Sequence, residues 1–228
     1  MLLPPVIPVL YLDEHLLVVA KPAGLPTLVD GYHPEAPFLT GILKETYPAL
    51  WVVHRLDRQT SGVMVFARTA AAHRELNTQF ERRRAVKTYH ALVHGQPAWD
   101  DRSIHLPLRA DGDRRHRTVV DPRHGKPAET DVLVLERFDH IALLQATPHT
   151  GRTHQLRAHL AASGHPIVSD PLYGGAELHG LPRLGLHAFS LRLFHPGSAE
   201  EMVFSAPYPE DLAQAINLLR LAVATEKL

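Results

Sequence analysis

Two apolar runs, Trp51-Val52-Val53 and Val63-Met64-Val65-Phe66-Ala67, bracket the nine residues His54-Arg55-Leu56-Asp57-Arg58-Gln59-Thr60-Ser61-Gly62. Short apolar runs of this kind read as buried strands, and the segment between them as their connecting loop. The loop carries an imidazole, two guanidiniums, a carboxylate and two hydroxyls, groups that no hydrophobic core requires. A carboxylate held among cations on a short loop stays ionised and aimed. Taken alone, Asp57 also reads as a turn residue or a cap, as most loop aspartates do.

The rest of the chain sets the fold class. Residues 8–20 read as two strands around an Asp13-Glu14 turn, and Lys21-Pro22-Ala23-Gly24 as a turn. Helices are expected over 37–45, ended by Pro48, and over 70–83, with Ala72, Leu76 and Phe80 on one face. Strands follow over 88–93, 130–135 and 141–146, the last two as a hairpin. A helix over 152–162 ends at a C-cap glycine, Gly164, with Pro166 behind it. Strands over 184–194 and 202–204 precede a last helix over 209–222, with Leu212, Ile216 and Leu219 inward and Glu210-Asp211 favouring its N-terminus. Strands and helices mix without regular βαβ alternation. The expected fold is therefore α+β, a largely antiparallel mixed sheet flanked by helices and loops, in one domain over 1–228. The polar stretch 109–129 reads as a mobile loop that closes on a substrate.

Composition narrows the function classes. There is no cysteine, which excludes disulfides and thiolate metal sites and fits a cytoplasmic protein. The start, Met1-Leu2-Leu3-Pro4-Pro5-Val6-Ile7-Pro8, lacks the basic region and unbroken apolar run of a signal peptide. No apolar stretch approaches the roughly 20 residues that span a bilayer, so no membrane partner is expected. Net charge is zero, from 24 basic and 24 acidic residues, which counts mildly against nucleic acid. The cations nonetheless cluster, at Arg82-Arg83-Arg84 with Lys87, and at Arg109, Arg114, Arg115, Arg117, Arg123 and Lys126. The 17 histidines are scattered; His154 and His159 lie five apart, not the four that places two ligands on one helical face, and no metal is expected. His54-Arg55-Leu56-Asp57 differs by one residue from a kinase catalytic loop, and neither Asp-Phe-Gly nor a glycine-rich phosphate loop accompanies it.

Four further segments carry polar groups in suggestive places. Lys87-Thr88-Tyr89 opens a strand, with Lys87 and Tyr89 on one face. Gly151-Arg152-Thr153-His154-Gln155-Leu156-Arg157-Ala158-His159-Leu160 reads as a helix start with His154 and Arg157 sharing a face. Asp170-Pro171-Leu172-Tyr173-Gly174 is turn-like, and Leu186-His187-Ala188 opens a strand.

These segments, in this order, with His-Arg-Leu-Asp-x-x-Thr-Ser-Gly and the N-terminal Asp-Glu-x-x-Leu-Val-Val-x-Lys-Pro-Ala-Gly, resemble the RluA-type RNA pseudouridine synthases. The resemblance runs from about Val9 to Phe204 and corresponds to the short form without an extra N-terminal RNA-binding domain. It implies the pseudouridine synthase catalytic fold and an isomerase that detaches uracil from its ribose, turns it and rejoins it through carbon, with no cofactor. It implies Asp57 as the catalytic residue at the glycosidic carbon, Arg157 as its basic partner, and Tyr89 as the group that stacks on uracil and takes a proton. It implies Arg55 as the residue filling the gap left by the flipped nucleotide, with His54, Thr60, Leu156 and Lys87 also at substrate-binding positions. The implied partner is ribosomal RNA or tRNA, and a monomer is expected.

Two other classes stay open from the residues. One is an RNA-binding or RNA-folding protein without required catalysis; the intact Asp57, Tyr89 and Arg157 argue against it. The other is a glycosidase, which would want a second carboxylate paired with Asp57, for which Asp170 is a distant possibility.

Overall fold

The polar loop is followed by a strand whose seven residues are all buried, and the neighbouring elements are arranged around that fact. The structure is a computed structural model describing residues 5–31 and 33–225. In chain order it comprises β1 (Val9–Leu12), β2 (Leu16–Lys21), α1 (Leu39–Thr46), β3 (Trp51–Val52), β4 (Ser61–Ala67), α2 (Ala70–Glu81), β5 (Val86–His94), β6 (Asp101–His105), β7 (Leu108–Arg109), β8 (Val119–Val120), β9 (Glu129–Arg137), β10 (Ile141–Pro148), α3 (Gln155–Ala162), β11 (Leu186–Phe194), β12 (Glu201–Ser205) and α4 (Glu210–Thr225). The fold is α+β with a largely antiparallel sheet, as expected. The first four residues, part of the start read as lacking a signal peptide, lie outside the described residues. The chain divides into two compact units. One holds the described residues up to Lys87 with Ala188–Pro207; the other holds Thr88–His187 with the described residues from Tyr208.

In the first unit the strand order is β1-β2-β4-β11, with β3 also on β4 and β12 on β11. β4 reads as an unbroken apolar run because both its faces are covered. Its antiparallel register with β2 runs from Leu16 opposite Ala67 to Lys21 opposite Gly62. Helix α2 begins at Thr69, whose side chain accepts the Ala72 N–H at 3.1 Å, a standard N-cap. Its inward face is Ala72, Leu76 and Gln79; Phe80, expected there, is only half-buried and stacks on His54, ring centroids 4.9 Å apart. Gln79 wins the inward position because its amide is satisfied in both directions. It donates to the Phe194 carbonyl at 2.8 Å and accepts the Phe194 N–H at 2.9 Å, as a strand neighbour would.

In the second unit β5, β10, β9 and β6 lie side by side, and β9–β10 is the expected hairpin. Helix α4 buries Leu212, Ala215 and Ile216 against Leu92, Leu143, Val168 and Leu181. Two arginine forks hold it from outside: Arg183 on Asp211, at 2.7 Å on both oxygens, and Arg220 on Glu136. At its start Tyr208 hydroxyl meets His90 Nδ1 at 2.5 Å. The stretch 109–129 is not a bare loop. It holds the small β7–β8 sheet, and two acid-centred turns shape its connections: Asp113 accepts from the N–H groups of Arg115 and Arg117, and Asp121 from those of Arg123 and His124.

Helix α3 starts three residues later than its sequence suggests, because His154 takes a left-handed conformation, φ 50 and ψ 25. Gln155 replaces the missing side-chain cap. Its amide oxygen accepts from Thr150 hydroxyl and the Arg152 N–H, and its nitrogen donates to Glu129 carbonyl and Thr130 hydroxyl. The helix ends as expected, with Gly164 at φ +86.

Two tests follow from this packing. Gly62 has φ +122, and a Cβ there would lie 2.2 Å from the Ala188 carbonyl oxygen and 2.6 Å from its nitrogen. Gly62→Ala is expected to cost about 3 kcal/mol or more in chemical denaturation, whereas Gly31→Ala, which meets nothing, should stay within about 0.5 kcal/mol. An equal, small effect at both positions would contradict the close approach. Burial holds the His90 pKa down to about 4, from an ordinary imidazole value of 6.5. Between those values the unfolded chain takes up a proton that the folded one does not, so stability falls as pH drops from 6.5 towards 4. The slope is about 1.4 kcal/mol per pH unit at most for one group. Denaturation midpoints from pH 7 to 4.5 should show this loss, and His90→Gln should remove its share of the slope.

Candidate active site

Asp57 sits on a loop pinned on either side of it by the segment 21–27. The Leu56 N–H donates to Thr27 hydroxyl at 3.3 Å, and the hydroxyl donates back to the Leu56 carbonyl at 2.9 Å. On the other side, Lys21 ammonium donates to the Arg58 carbonyl at 3.2 Å and Arg58 Nε to the Gly24 carbonyl at 3.0 Å. Lys21 is 1% exposed; it also donates to the Pro22 and Leu25 carbonyls, so its charge leaves water only where carbonyl oxygens receive it. Within the loop, the Thr60 N–H closes a turn onto the Asp57 carbonyl at 3.1 Å. Leu56 and Thr60 are buried, Asp57 is half-buried and Arg55 is exposed. The loop thus holds its backbone fixed on both sides of the half-buried Asp57.

His54 is a neutral residue. Burial, and then the nearby Lys87 charge, push its pKa down to about 3. Its Nε2 accepts the Val65 N–H at 3.1 Å, which puts the proton on Nδ1, and Nδ1 is buried with no partner among the described residues. Lys87, at the start of β5, has its own pKa lowered by burial. His54, Asp57, Thr60 and Lys87 all belong to the first unit.

The second unit holds Tyr89, Leu156 and Arg157. Tyr89 lies in β5 opposite Ala146 of β10 and is 9% exposed. Leu156 is buried in α3. Arg157 is forked onto Asp170, Nε and Nη2 each at 2.8 Å from a carboxylate oxygen, with Asp170 side chain 1% exposed and that of Arg157 12%. Its guanidinium also lies over the Tyr173 ring, 4.8 Å from the centroid. The turn carrying Asp170 and Tyr173 is tightly built. Tyr173 and Gly175 N–H groups both close onto the Asp170 carbonyl, and a Cβ on Gly175 would lie 1.8 Å from the Ile167 oxygen. His154 does not share a helix face with Arg157, since it precedes the helix; its Nδ1 instead stands 3.2 Å from Tyr173 hydroxyl.

Sequence reasoning missed Lys21, Thr27 and Tyr173 as supports. A lysine closing an apolar strand run was a readable sign for Lys21, whereas nothing local marks Thr27. The geometry also removes Asp170 as the second acid of a glycosidase. Both its oxygens are occupied by Arg157, and water does not reach it. His159 is structural too, with its nitrogens near Thr130 hydroxyl and the Leu106 carbonyl. Asp13, His195 and Ser198 line up at 2.7 and 3.2 Å in the order of a hydrolytic triad. Yet His195 Nδ1 accepts the Ser198 N–H at 3.0 Å, which spends the lone pair a general base would use. Among the described residues no group of three His, Cys, Asp or Glu side chains could hold a metal ion.

Comparisons with known proteins identify the family. The family profile described as RNA pseudouridylate synthase matches residues 15–162. The dual-specificity RNA pseudouridine synthase RluA of Salmonella typhi is 42% identical over 201 residues, covering 87% of this chain and 92% of the relative. Ribosomal large subunit pseudouridine synthase C of Vibrio vulnificus is 38% identical, covering 93% of this chain and 69% of the relative. Among solved structures, human RNA pseudouridylate synthase domain containing 1 superposes with a TM-score of 0.73 at 30% identity, over 94% of each chain. Human RNA pseudouridylate synthase domain containing 4 superposes with a TM-score of 0.77 at 27% identity, over 93% of each. The chain belongs to the RNA pseudouridine synthase family, in its RluA-type branch, and is an isomerase of that family.

Proposed function

We propose that this enzyme converts specific uridines of tRNA and ribosomal RNA to pseudouridine, with Asp57 acting at the ribose carbon of a flipped-out nucleotide. The observation that carries the choice of substrate is the 42% identity over 92% of a relative named for dual specificity. The chemistry asks for what the Asp57 loop offers. The bond between N1 and the ribose carbon breaks, and positive charge builds on the sugar. A fixed carboxylate stabilises that charge or bonds to it. The freed uracil turns, and its C5 forms the new bond. C5 then loses a proton and N1 gains one, so nothing is oxidised and no group is supplied from outside, and we assign no metal or cofactor to the reaction.

To Tyr89 we assign stacking on the uracil and removal of the C5 proton, and to Arg157 the role of basic partner of the carboxylate. Arg55, the exposed guanidinium beside Asp57, fills the gap in the RNA stack. His54, Thr60, Lys87 and Leu156 support the nucleotide site, His54 as a neutral ring that accepts the Val65 N–H. The described residues contain no helix long and apolar enough to cross a membrane, and the chain has no cysteine. We take the enzyme to work in the cytoplasm as a monomer, its whole chain serving as one catalytic domain.

Asp57→Ala should abolish pseudouridine formation in tRNA and ribosomal RNA from a strain lacking the gene, mapped by base-specific chemical labelling. RNA affinity should stay within about threefold, since the loss falls on the transition state. Product formed by the variant, or no product from the intact protein in any RNA, would refute the assignment and favour an RNA-binding protein. Thr27→Val, which removes the hydroxyl bonded to the Leu56 backbone and set 3.8 Å from the Met64 sulfur, should lower the saturated rate about 10- to 100-fold by letting Asp57 drift, again with RNA affinity little changed.

A further inference from the structure

The arginine-rich segment between β7 and β8 docks on the turn that holds Arg157. Three consecutive residues of that turn receive it. Arg115 Nη2 donates to the Pro171 carbonyl at 3.3 Å, Arg117 Nη1 to the Leu172 carbonyl at 3.2 Å, and the Thr118 N–H to Tyr173 hydroxyl at 3.0 Å. Arg117 is itself set by Asp113, at 2.6 Å. The same turn grips Arg157 from two sides, through the Asp170 carboxylate and the Tyr173 ring. Tyr173 also packs with Leu108, Val120 and Ala158, which joins the β7–β8 sheet to helix α3. One side chain therefore has its ring on the arginine and its hydroxyl on the hairpin.

We infer that Tyr173 is a positioning residue for Arg157 and the joint through which the 109–126 hairpin and that arginine sense each other. Its ring limits where the guanidinium swings, and Asp170 fixes it from the other side. Its hydroxyl fixes Thr118 and so the hairpin's seat. A polyanion drawn to the exposed Arg114, Arg123 and Lys126 presses on the hairpin, and the load reaches Arg157 through Tyr173. The inference rests on the role proposed for Arg157.

The experiment compares Tyr173→Phe with Tyr173→Leu. Phenylalanine keeps the ring and removes the hydroxyl; leucine removes both. Three quantities are read: the single-turnover rate at saturating tRNA, the RNA dissociation constant, and hydrogen exchange of the Thr118 amide without RNA. Tyr173→Phe loses the hydroxyl's contacts with both the Thr118 N–H and His154 Nδ1, so Thr118 exchange should quicken about tenfold and RNA binding weaken about 3- to 10-fold. Its saturated rate should fall less than about threefold, whereas that of Tyr173→Leu should fall about 10- to 100-fold, as misplacing a positioned group does. Rescue of the rate by phenylalanine over leucine is a split that loss of stability alone does not produce, and it holds even if the leucine variant must be corrected for its folded fraction. Equal rate losses in the two variants, or an unchanged Thr118 amide in Tyr173→Phe, would overturn the inference. Absence of product from the intact enzyme would instead overturn the proposed function, and the Thr118 arm would still decide whether Tyr173 seats the hairpin.

Discussion

Complete burial of β4 is the constraint on which the first unit turns. A strand apolar on both faces, with neighbours on both edges, cannot slide by one residue without breaking its ladders and repacking both faces. Its register with β2 therefore decides where Lys21 falls, opposite Gly62 at the mouth of the polar loop. A buried ammonium must find oxygen acceptors, and the carbonyls of Pro22, Leu25 and Arg58 receive this one. The charge thus converts sheet register into loop position. Thr27 then fixes the residue just before Asp57, and the carboxylate inherits the rigidity of a strand although it stands on a loop.

The second unit solves the matching problem for an arginine. A guanidinium on a helix has long, free torsions, and ordering it costs entropy. The turn from Asp170 to Gly175 removes that freedom with two groups three residues apart, a carboxylate for the fork and a ring for the flat face. The glycines make the turn possible. Gly174 takes φ +88, and Gly175 passes so close to the Ile167 carbonyl that no side chain fits. The arginine is thereby oriented before any substrate arrives.

The parts of this design legible in the sequence are those governed by local pattern. The apolar runs of β2 and β4, the β9–β10 hairpin, the inward face of α4 and the Gly164 cap all follow from periodicity or from one residue's backbone freedom. The motif order that carries the family resemblance was legible as well. What was not legible depends on partners distant in the chain. Helix α2 turns Gln79 inward because Phe194, 115 positions away, offers a backbone pair to its amide. Helix α3 starts late because Gln155 finds Glu129 and Thr130. Strand β6 opens on charged residues, Asp101-Arg102, and gains its place by pairing with β9. Thr27 looks like any surface threonine until Leu56 is folded against it.

The zero net charge also takes on meaning once the acids are located. Asp113 and Asp121 look like a cost to a chain that must approach a polyanion, yet each builds a turn. The carboxylate of Asp121 is held down to about 2 by the His124 N–H first and the Arg109 Nε–H next, and that of Asp113 is lowered by the Arg117 N–H above all. They neutralise Arg109 and Arg117, cations already used for shaping the hairpin, and leave Arg114, Arg123 and Lys126 exposed around it. The attraction for phosphate, and its dependence on salt, then follow the free cations at this edge rather than the total of basic residues. A neutral chain of this kind still presents exposed cations in clusters, Arg82 to Arg84 at the end of α2 and Arg114, Arg123 and Lys126 around the hairpin, and the second cluster leaves a handle beside the turn that holds Arg157.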